Sequence, residues 1–320
     1  MSPTLQTPDV AAHEMFTDPK AAVVRLQELY TNASNFLCDG FNAAITQGQP
    51  ENRMRAYYPE IRLTTTSYAK TDSRLSFGHV AEPGMYATTV TRPDLFAHYL
   101  EQQIGLLIES HGVPVEIGVS STEMPVHFAV ANDASVSVPQ DGALDFTLRD
   151  RFDVPDLATT HDNIVNGVGF LYPDGARPLA PFTAQRIDYS LARLSHYTAT
   201  AAEHFQNHIL FTNYQFYVEE FEAFARTMIA DPDSGYTSFV GTGNIEITTA
   251  DAPMKVPAKL PQMPTFHLKR KGGGGITLVN IGVGPSNAKT ATDHIAVLRP
   301  HAWLMVGHCA GLRNSQRLGD

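Results

Sequence analysis

The spacing of apolar residues along the first third of the chain predicts two amphipathic helices and a set of strands. Asp18 and Pro19 are typical of a helix N-cap followed by proline in the first turn, and apolar residues recur at helical spacing as far as Gly48. Three of the four residues 32–35 are polar, so the pattern is compatible either with one continuous helix or with a break at this point. Apolar and polar residues then alternate over 57–91, which predicts antiparallel strands separated by turn formers.

A second helix is predicted over residues 93–110, with Gly112 as its left-handed stop, and another strand over 113–119. Residues 124–181 show weak periodicity and frequent Pro, Asp and Gly, which indicates irregular connections. Helical spacing returns over 183–197. Beyond residue 205 the pattern predicts, in order, a buried strand at 209–212, a helix at 217–229, strands at 236–240 and 245–248, and a flexible hairpin tip at the charged residues 269–271 and the glycines after them.

The last predicted passage is a strand over 276–281, a loop with two glycines over 282–286, a helix to residue 298, and a strand over 302–306 that ends on Gly307-His308. Two strands joined by one helix lie parallel, as neighbours with a right-handed crossover, so both carboxyl ends are expected at one edge of the sheet. Glycines there let a ligand approach bare N–H groups, and the next helix N-terminus favours anionic or electron-rich atoms. The alternative is that the glycines only permit close helix packing.

Two familiar phosphate-binding motifs do not fit this passage. The dinucleotide fingerprint needs a third glycine where the chain has Asn287 and an acidic residue where it has Gly307-His308, and Pro285 removes one N–H donor. No Gly-Lys-Ser/Thr follows at the distance that a Walker loop requires. The sequence therefore argues against a Rossmann dinucleotide site and against a P-loop.

Composition narrows the class of protein. At 320 residues the chain is expected to form two domains, and 23 basic against 33 acidic residues give a net charge of −10. That balance disfavours nucleic acid and anionic membranes as partners, because both need a basic face. No apolar run approaches the length of a membrane span, and residues 1–9 lack the features of a secretory signal. The two cysteines, Cys38 and Cys309, fit a reducing cytoplasm, and no metal is expected because His204 and His208 lack completing ligands.

Several segments carry a family resemblance. They are FG at 77–78, YATTVTRP at 86–93, RIDYSLARL at 186–194, LFTNY at 210–214, GVGPSNAKT at 282–290 and WLMVGHC at 303–309. In these segments the chain resembles the bacterial AMP nucleosidases over nearly its whole length. The resemblance implies an α+β N-terminal regulatory domain over residues 1–200, followed over 201–320 by the first part of an incomplete α/β nucleoside phosphorylase-like catalytic domain.

The resemblance also implies an activity and partners. Members of the family hydrolyse the N-glycosidic bond of AMP to adenine and ribose 5-phosphate, with MgATP as allosteric activator, phosphate as inhibitor, and no cofactor required for the chemistry. The resemblance also implies a cytoplasmic homo-hexamer. This chain departs from the family at Ala310, where glycine is usual, and the family's catalytic domain continues beyond the residue that matches Asp320. The chain is therefore expected to be inactive by itself. The alternative hypothesis is a non-catalytic short form that binds nucleotide or assembles with full-length subunits.

The expected substrate-binding residues are those at the predicted strand ends: Thr212, Asn213, Tyr214, Gly282, Val283, Gly284, Gly307, His308 and Cys309. None is a carboxylic acid, and by similarity the acid that protonates the purine lies beyond Asp320, so the catalytic residues stay unassigned. By the same similarity Val283 lies by the ribose, and Cys309 and Ala310 lie by the purine. Phosphorylases of the superfamily hold the attacking phosphate at positions that match Met305 and His308, and an apolar Met305 favours water as the nucleophile.

Two arginines, one histidine and one cysteine each have a purely structural interpretation beside the functional one. Arg186 and Arg193 lie seven apart on one face of the predicted helix, where they either bind an anion such as phosphate or form surface and intrachain ion pairs. His308 either donates to a ribose or phosphate oxygen or is a structural hydrogen-bonded residue. Cys309 is interpreted as a small packed residue rather than a nucleophile.

Overall fold

The chain forms two compact units, Met1–Tyr189 and Ser190–Asp320, in a computed structural model. The structure describes residues 4–8, 12–48, 50–70, 78–131, 146–255, 257–308 and 310–317. The division between the units falls inside a helix, whereas the sequence placed the domain boundary at residue 200. The roles assigned to the two predicted domains stay predictions.

The first unit is an antiparallel sheet with helices. Its helices are α1 (Pro19–Gln47), α2 (Ala97–His111), α3 (Val126–Ala131), α4 (Leu148–Arg151) and the beginning of α5 (Ala184–Thr198). Its strands are β1 (Leu5–Gln6), β2 (Glu14–Phe16), β3 (Arg53–Met54), β4 (Tyr57–Thr65), β5 (Gly84–Thr89), β6 (Val115–Glu123) and β7 (Arg177–Pro178). The main sheet has the order β2-β6-β4-β5-β7, in which only β5 and β7 are parallel, and β1 pairs with β3 separately.

Helix α1 confirms the predicted long amphipathic helix and shows no break. The Asp18 carboxylate accepts hydrogen bonds from the backbone N–H groups of Lys20 and Ala21 at 3.1 and 3.4 Å, which satisfies donors that a helix start leaves open. Ala33 and Leu37 are buried in the core, so tertiary packing carries the helix through residues 32–35 despite the polar side chains of the two asparagines and the serine there.

The other predictions for this unit hold with shifted ends. Strands β4 and β5 are antiparallel, as the alternation predicted, although residues 71–77 lie outside the described part of the chain. Helix α2 begins later than predicted, and Gly112 ends it in the left-handed conformation at a φ of 66°. The segment predicted as irregular contains the short helices α3 and α4.

The carboxylate of Asp188 is buried in the first unit, where it accepts two hydrogen bonds. The hydroxyls of Tyr58 and Thr91 donate to the two oxygens of Asp188, each at 2.6 Å. Burial raises the pKa of Asp188 to about 6, and the two hydrogen bonds and the nearby Arg92 guanidinium act in the opposite direction. Asp188 was not singled out by the sequence, because nothing in the helical pattern marks a buried acid.

The second unit is built on a mixed sheet. Besides the end of α5 it contains β8 (His208–Thr212), α6 (Gln215–Ala230), β9 (Tyr236–Gly241), β10 (Ile245–Ile247), β11 (Thr265–Arg270), β12 (Ile276–Asn280), α7 (Pro285–Ile295) and β13 (Ala302–Val306). The strand order is β10-β9-β11-β12-β8-β13. Strand β11 runs antiparallel to β9 and β12, which confirms the hairpin predicted at residues 269–271. The content of both units confirms an α+β part followed by an α/β part.

The expectation that the two last strands are neighbours is wrong. Strands β12 and β13 are both parallel, but β8 lies between them and pairs with each. The apolar side chains of β8 make it a suitable central strand, since Ile209 and Phe211 are buried in the core. A strand from earlier in the chain therefore lies between two strands that the local pattern predicted to pair directly with each other.

Strand β13 forms one edge of this sheet and is largely exposed. Trp303, Leu304 and Met305 expose 45%, 61% and 50% of their surface. Its backbone pairs only with β8 among the described residues, so one row of N–H and C=O groups is turned away from the sheet. Among the helices that the structure describes, none is long and apolar enough to cross a membrane.

The buried carboxylate predicts a pH dependence of stability in the first unit. Because the folded-state pKa of Asp188 lies above that of the unfolded chain, the folded state binds more protons between about pH 4 and 6, and stability falls as the pH rises through that window. A shift of about two units corresponds to a loss of at most about 3 kcal/mol. Hydrogen exchange of α1 and β4 peptides, corrected for intrinsic rates, measures this free energy.

The Asp188→Asn variant removes the ionisation, so the stability difference between wild type and variant should shrink between pH 4 and 7. Asp39→Asn, which changes an exposed carboxylate on α1, is the matched control and should keep the wild-type profile. A difference between wild type and Asp188→Asn that stays constant with pH would contradict the assignment.

Candidate functional site

The ends of three parallel strands meet at one edge of the second unit's sheet. Asn280 at the end of β12 and Val306 at the end of β13 both pair with Thr212 at the end of β8. The loops that follow therefore leave the sheet at the same level. We call residues 212–214, 280–284 and 305–308 the strand-end cluster. Its two glycine-containing tips lie roughly 10 Å apart, because two strand spacings of about 4.8 Å separate them.

The loop after β12 is held open by asparagine side chains. Asn280 accepts a hydrogen bond from the Gly282 N–H at 3.1 Å, and the Asn287 amide donates to the Ile281 carbonyl at 2.9 Å. Gly282 and Gly284 have φ values of 62° and 114°, a backbone conformation that favours glycine. Gly284 is also the N-cap of α7, so the positive end of an eleven-residue helix faces this loop.

Three rings stand beside the opposite tip. The His308 ring centroid lies 5.0 Å from that of Tyr214 and 5.9 Å from that of Tyr217. The Tyr217 hydroxyl is 3.5 Å from Nε2 of His308. Such edge-to-face and tilted rings form an apolar surface with polar rims, which suits a planar heterocycle carrying hydrogen-bonding groups.

Gly307 lets the backbone of this tip approach the end of β8. A Cβ atom at position 307 would lie 3.2 Å from Oδ1 of Asn213 and 3.6 Å from Cε2 of Tyr214. The Asn213 oxygen is itself buried and has no hydrogen-bond partner among the described residues. A buried amide oxygen without a partner costs free energy, and such groups in native proteins commonly mark a functional position.

The remaining predicted residues occupy different environments. Thr212 is fully buried, and its hydroxyl accepts from the Tyr214 N–H at 3.2 Å, so its side chain positions the turn rather than facing the edge. Val283 is 84% exposed at the tip of its loop. Cys309 lies outside the described residues.

The two arginines singled out in the sequence fall in different units and have partners within the protein. Arg186 is buried, pairs with Asp162 at 2.7 Å and lies over the Phe182 ring. Arg193 lies over the Tyr197 ring and hydrogen-bonds the Tyr197 hydroxyl. Intrachain pairing, one of the two alternatives raised from the sequence, accounts for these contacts. Phosphate binding by either residue stays a prediction.

Sequence reasoning missed three residues that shape the cluster. Asn280 and Asn287 hold the glycine loop, and Tyr217 completes the ring group. Tyr217 follows Tyr214 at helical spacing, a signal that could have placed both rings on one side of the start of α6. In the described ranges, no group of three or more His, Cys, Asp or Glu is placed to hold a metal ion.

The fold and the cluster define a class of protein. It is a mixed α/β protein with an open ligand shelf at the carboxyl ends of parallel strands, where such folds generally bind small molecules. Comparison with known proteins narrows this class. Residues 21–175 match the family described as the bacterial AMP nucleoside phosphorylase N-terminus.

Two curated relatives carry the name AMP nucleosidase. The proteins of Escherichia coli strain K12 and of Escherichia coli O157:H7 are each 41% identical to this chain over 316 residues. The match covers 94% of this chain and 64% of each relative, so the chain spans about two thirds of their length. A crystal structure of AMP nucleosidase from Bacteroides thetaiotaomicron is 24% identical, with a TM-score of 0.29 over 42% of this chain and 45% of that one. The chain is thus similar in sequence to proteins named AMP nucleosidase, which confirms the resemblance seen in its motifs.

The state of Asn213 predicts an unusual response to mutation. Asn213→Ala removes a buried oxygen that has no partner, so the free energy of unfolding should change by less than about 0.5 kcal/mol or rise. Asn280→Ala is the matched control, because it removes the acceptor of the Gly282 N–H and should cost about 1 kcal/mol. Urea unfolding followed by the fluorescence of Trp303, the single tryptophan, reports on this unit. Equal losses in the two variants would refute the description of Asn213.

Proposed function

We propose that this sequence belongs to an AMP nucleosidase that hydrolyses the N-glycosidic bond of AMP to adenine and ribose 5-phosphate. The observation that carries the proposal is the common level of the three parallel strand ends, which brings the glycine loop, the Gly307 tip and the Tyr214 turn to one edge. The name carried by the curated relatives supports the choice of AMP among small ligands.

The cluster suggests how a nucleotide would be held. The purine would lie by residues 309–310, next to the rings around His308. The ribose would lie by Val283, and His308 would donate to a ribose or phosphate oxygen. Electron-rich atoms of the ligand would be favoured near Gly284, where α7 presents its N-terminal N–H groups.

Water is proposed as the nucleophile. Met305 stands half exposed at the end of β13, and its thioether cannot bind an attacking phosphate as a cationic side chain would. Cleavage through an oxocarbenium-like sugar also needs an acid for the departing purine. The described residues of the strand-end cluster offer hydroxyl, amide, imidazole and backbone groups but no carboxyl group, so that proton has to come from another part of the enzyme.

The wider setting is proposed on the resemblance alone. It includes a cytoplasmic homo-hexamer, activation by MgATP, inhibition by phosphate and no cofactor in the chemical step. A second candidate function is a non-catalytic form that binds nucleotide or assembles with longer subunits. The absence of a carboxyl group among the described residues of the cluster favours this alternative for the chain by itself.

Calorimetry and product analysis with AMP test the proposal. We expect AMP to bind, and Gly307→Ala to weaken binding about tenfold, because the added methyl group crowds the Asn213 side-chain oxygen at 3.2 Å. Gly169→Ala is the matched control, since a Cβ there has nothing within 4 Å, and it should bind AMP as the wild type does.

Adenine release then separates the hypotheses. Release without phosphate supports hydrolysis, whereas release that requires phosphate and yields a sugar phosphorylated at both ends would overturn it. Binding without release in either buffer selects the non-catalytic form. Failure of AMP to bind, or equal binding by wild type and Gly307→Ala, would remove the strand-end cluster as the nucleotide site.

A further inference from the structure

The first unit contains a cavity of about 460 Å³ that the proposed chemistry does not use. One wall is a stripe along α1 made of Gln27, Tyr30, Thr31, Ser34, Asn35 and Cys38. These positions recur every three or four residues and place amide and hydroxyl groups on one face, next to the apolar face that the helix buries in the core. A polar stripe along an open cavity can hold a polar ligand through several hydrogen bonds.

The opposite wall is the turn from Arg92 to Asp94. Arg92 is buried, and its guanidinium binds both oxygens of Asp94, at 3.1 Å through Nε and 3.0 Å through Nη2. Its backbone has a φ of 44°, a conformation that is strained for arginine and persists where surrounding contacts determine it. The Gln27 amide donates to the Pro93 carbonyl at 3.4 Å, which ties this wall to α1. The cavity is therefore built by specific contacts on both sides.

The floor connects the cavity to the buried carboxylate of Asp188. The buried Tyr30 side chain lies close to Ser34, Thr91 and Asp188, and the Thr91 hydroxyl donates to Asp188 at 2.6 Å. The guanidinium of Arg92 therefore stands between two carboxylates, those of Asp94 and Asp188. Two negative groups against one positive group give this region no excess of positive charge, which disfavours a phosphate or another anion.

We propose that this cavity binds an uncharged ligand of roughly nucleoside size that carries several hydroxyl or amide groups. The side-chain hydroxyls and amides along α1 both donate and accept, which matches such groups on a ligand. The proposal is independent of the strand-end cluster, which lies in the other unit and is proposed for AMP.

Cys38 supplies a direct test, because its buried thiol lines the cavity. The probe is adenosine, and the readout is the rate at which iodoacetamide alkylates Cys38, measured by peptide mapping of the whole chain. Saturating adenosine should slow the alkylation of Cys38 at least fivefold. Inorganic phosphate should leave the rate unchanged, and AMP should protect less than adenosine at equal concentration.

Variants place the effect in the cavity. Thr31→Val and Asn35→Ala change exposed side chains on the cavity stripe and should each raise the adenosine concentration needed for half protection by fivefold or more. Thr46→Val is the matched control, since Thr46 lies on the same helix beyond the cavity and its hydroxyl donates to the carbonyls of Asn42 and Ala43 within α1. It should protect as the wild type does.

Three results would overturn the proposal. They are no protection by adenosine, equal protection by phosphate or AMP, and protection that persists in both stripe variants. The label on Cys309 is read in the same digest and reports separately on the part of the chain proposed to bind AMP. Failure at Cys38 with normal AMP binding, or the reverse, therefore distinguishes the two proposals.

Discussion

The paired register of β8 with β12 and β13 is the constraint on which the candidate site depends. Backbone hydrogen bonds fix Thr212 opposite both Asn280 and Val306, so three loops from distant parts of the chain leave the sheet at one level. A shift of one residue between β8 and β12 would turn the buried side chains of the shifted strand to the other face. The apolar burial of Ile209 and Phe211 therefore protects the geometry of the edge as well as the stability of the unit.

Within this frame, the polar groups at the edge differ in how they are satisfied. The side chains of Asn280 and Asn287 are hydrogen-bonded to the backbone of the glycine loop and so stabilise a single conformation of it. Asn213 has a buried oxygen without a described partner beside Gly307, where a larger residue would not fit without displacement. The hydrogen-bonded asparagines stabilise the loop that forms the site. A buried oxygen without a partner, such as that of Asn213, becomes favourable only when a ligand donates a hydrogen bond to it.

Local patterns predicted most elements, because helical and alternating periodicities report directly on which face is buried. They could not predict that β8 lies between β12 and β13, since strand order depends on contacts between residues far apart in sequence. They also could not settle the continuity of α1 at residues 32–35, where burial of Ala33 and Leu37 decides the outcome. The glycine loop was predictable because Gly282 and Gly284 are needed for their backbone conformation. Asn213 was predicted as a site residue, but the missing partner of its buried oxygen and the contact of Tyr217 with His308 depend on residues distant in sequence.

The polar interior of the first unit also contains groups that are unfavourable by themselves, and their free-energy cost is larger because one of them is a buried carboxylate. A buried, ionised Asp188 is unfavourable, and a left-handed backbone at Arg92 is unfavourable as well. The two are coupled, because the Arg92 charge favours the ionised form of Asp188 and Thr91, its chain neighbour, donates to the same carboxylate. Each strained group thus stabilises the other, and together they hold the turn that forms one wall of the cavity. Removal of either one leaves the other without compensation, so this network determines the shape of the cavity as well as the stability of the unit.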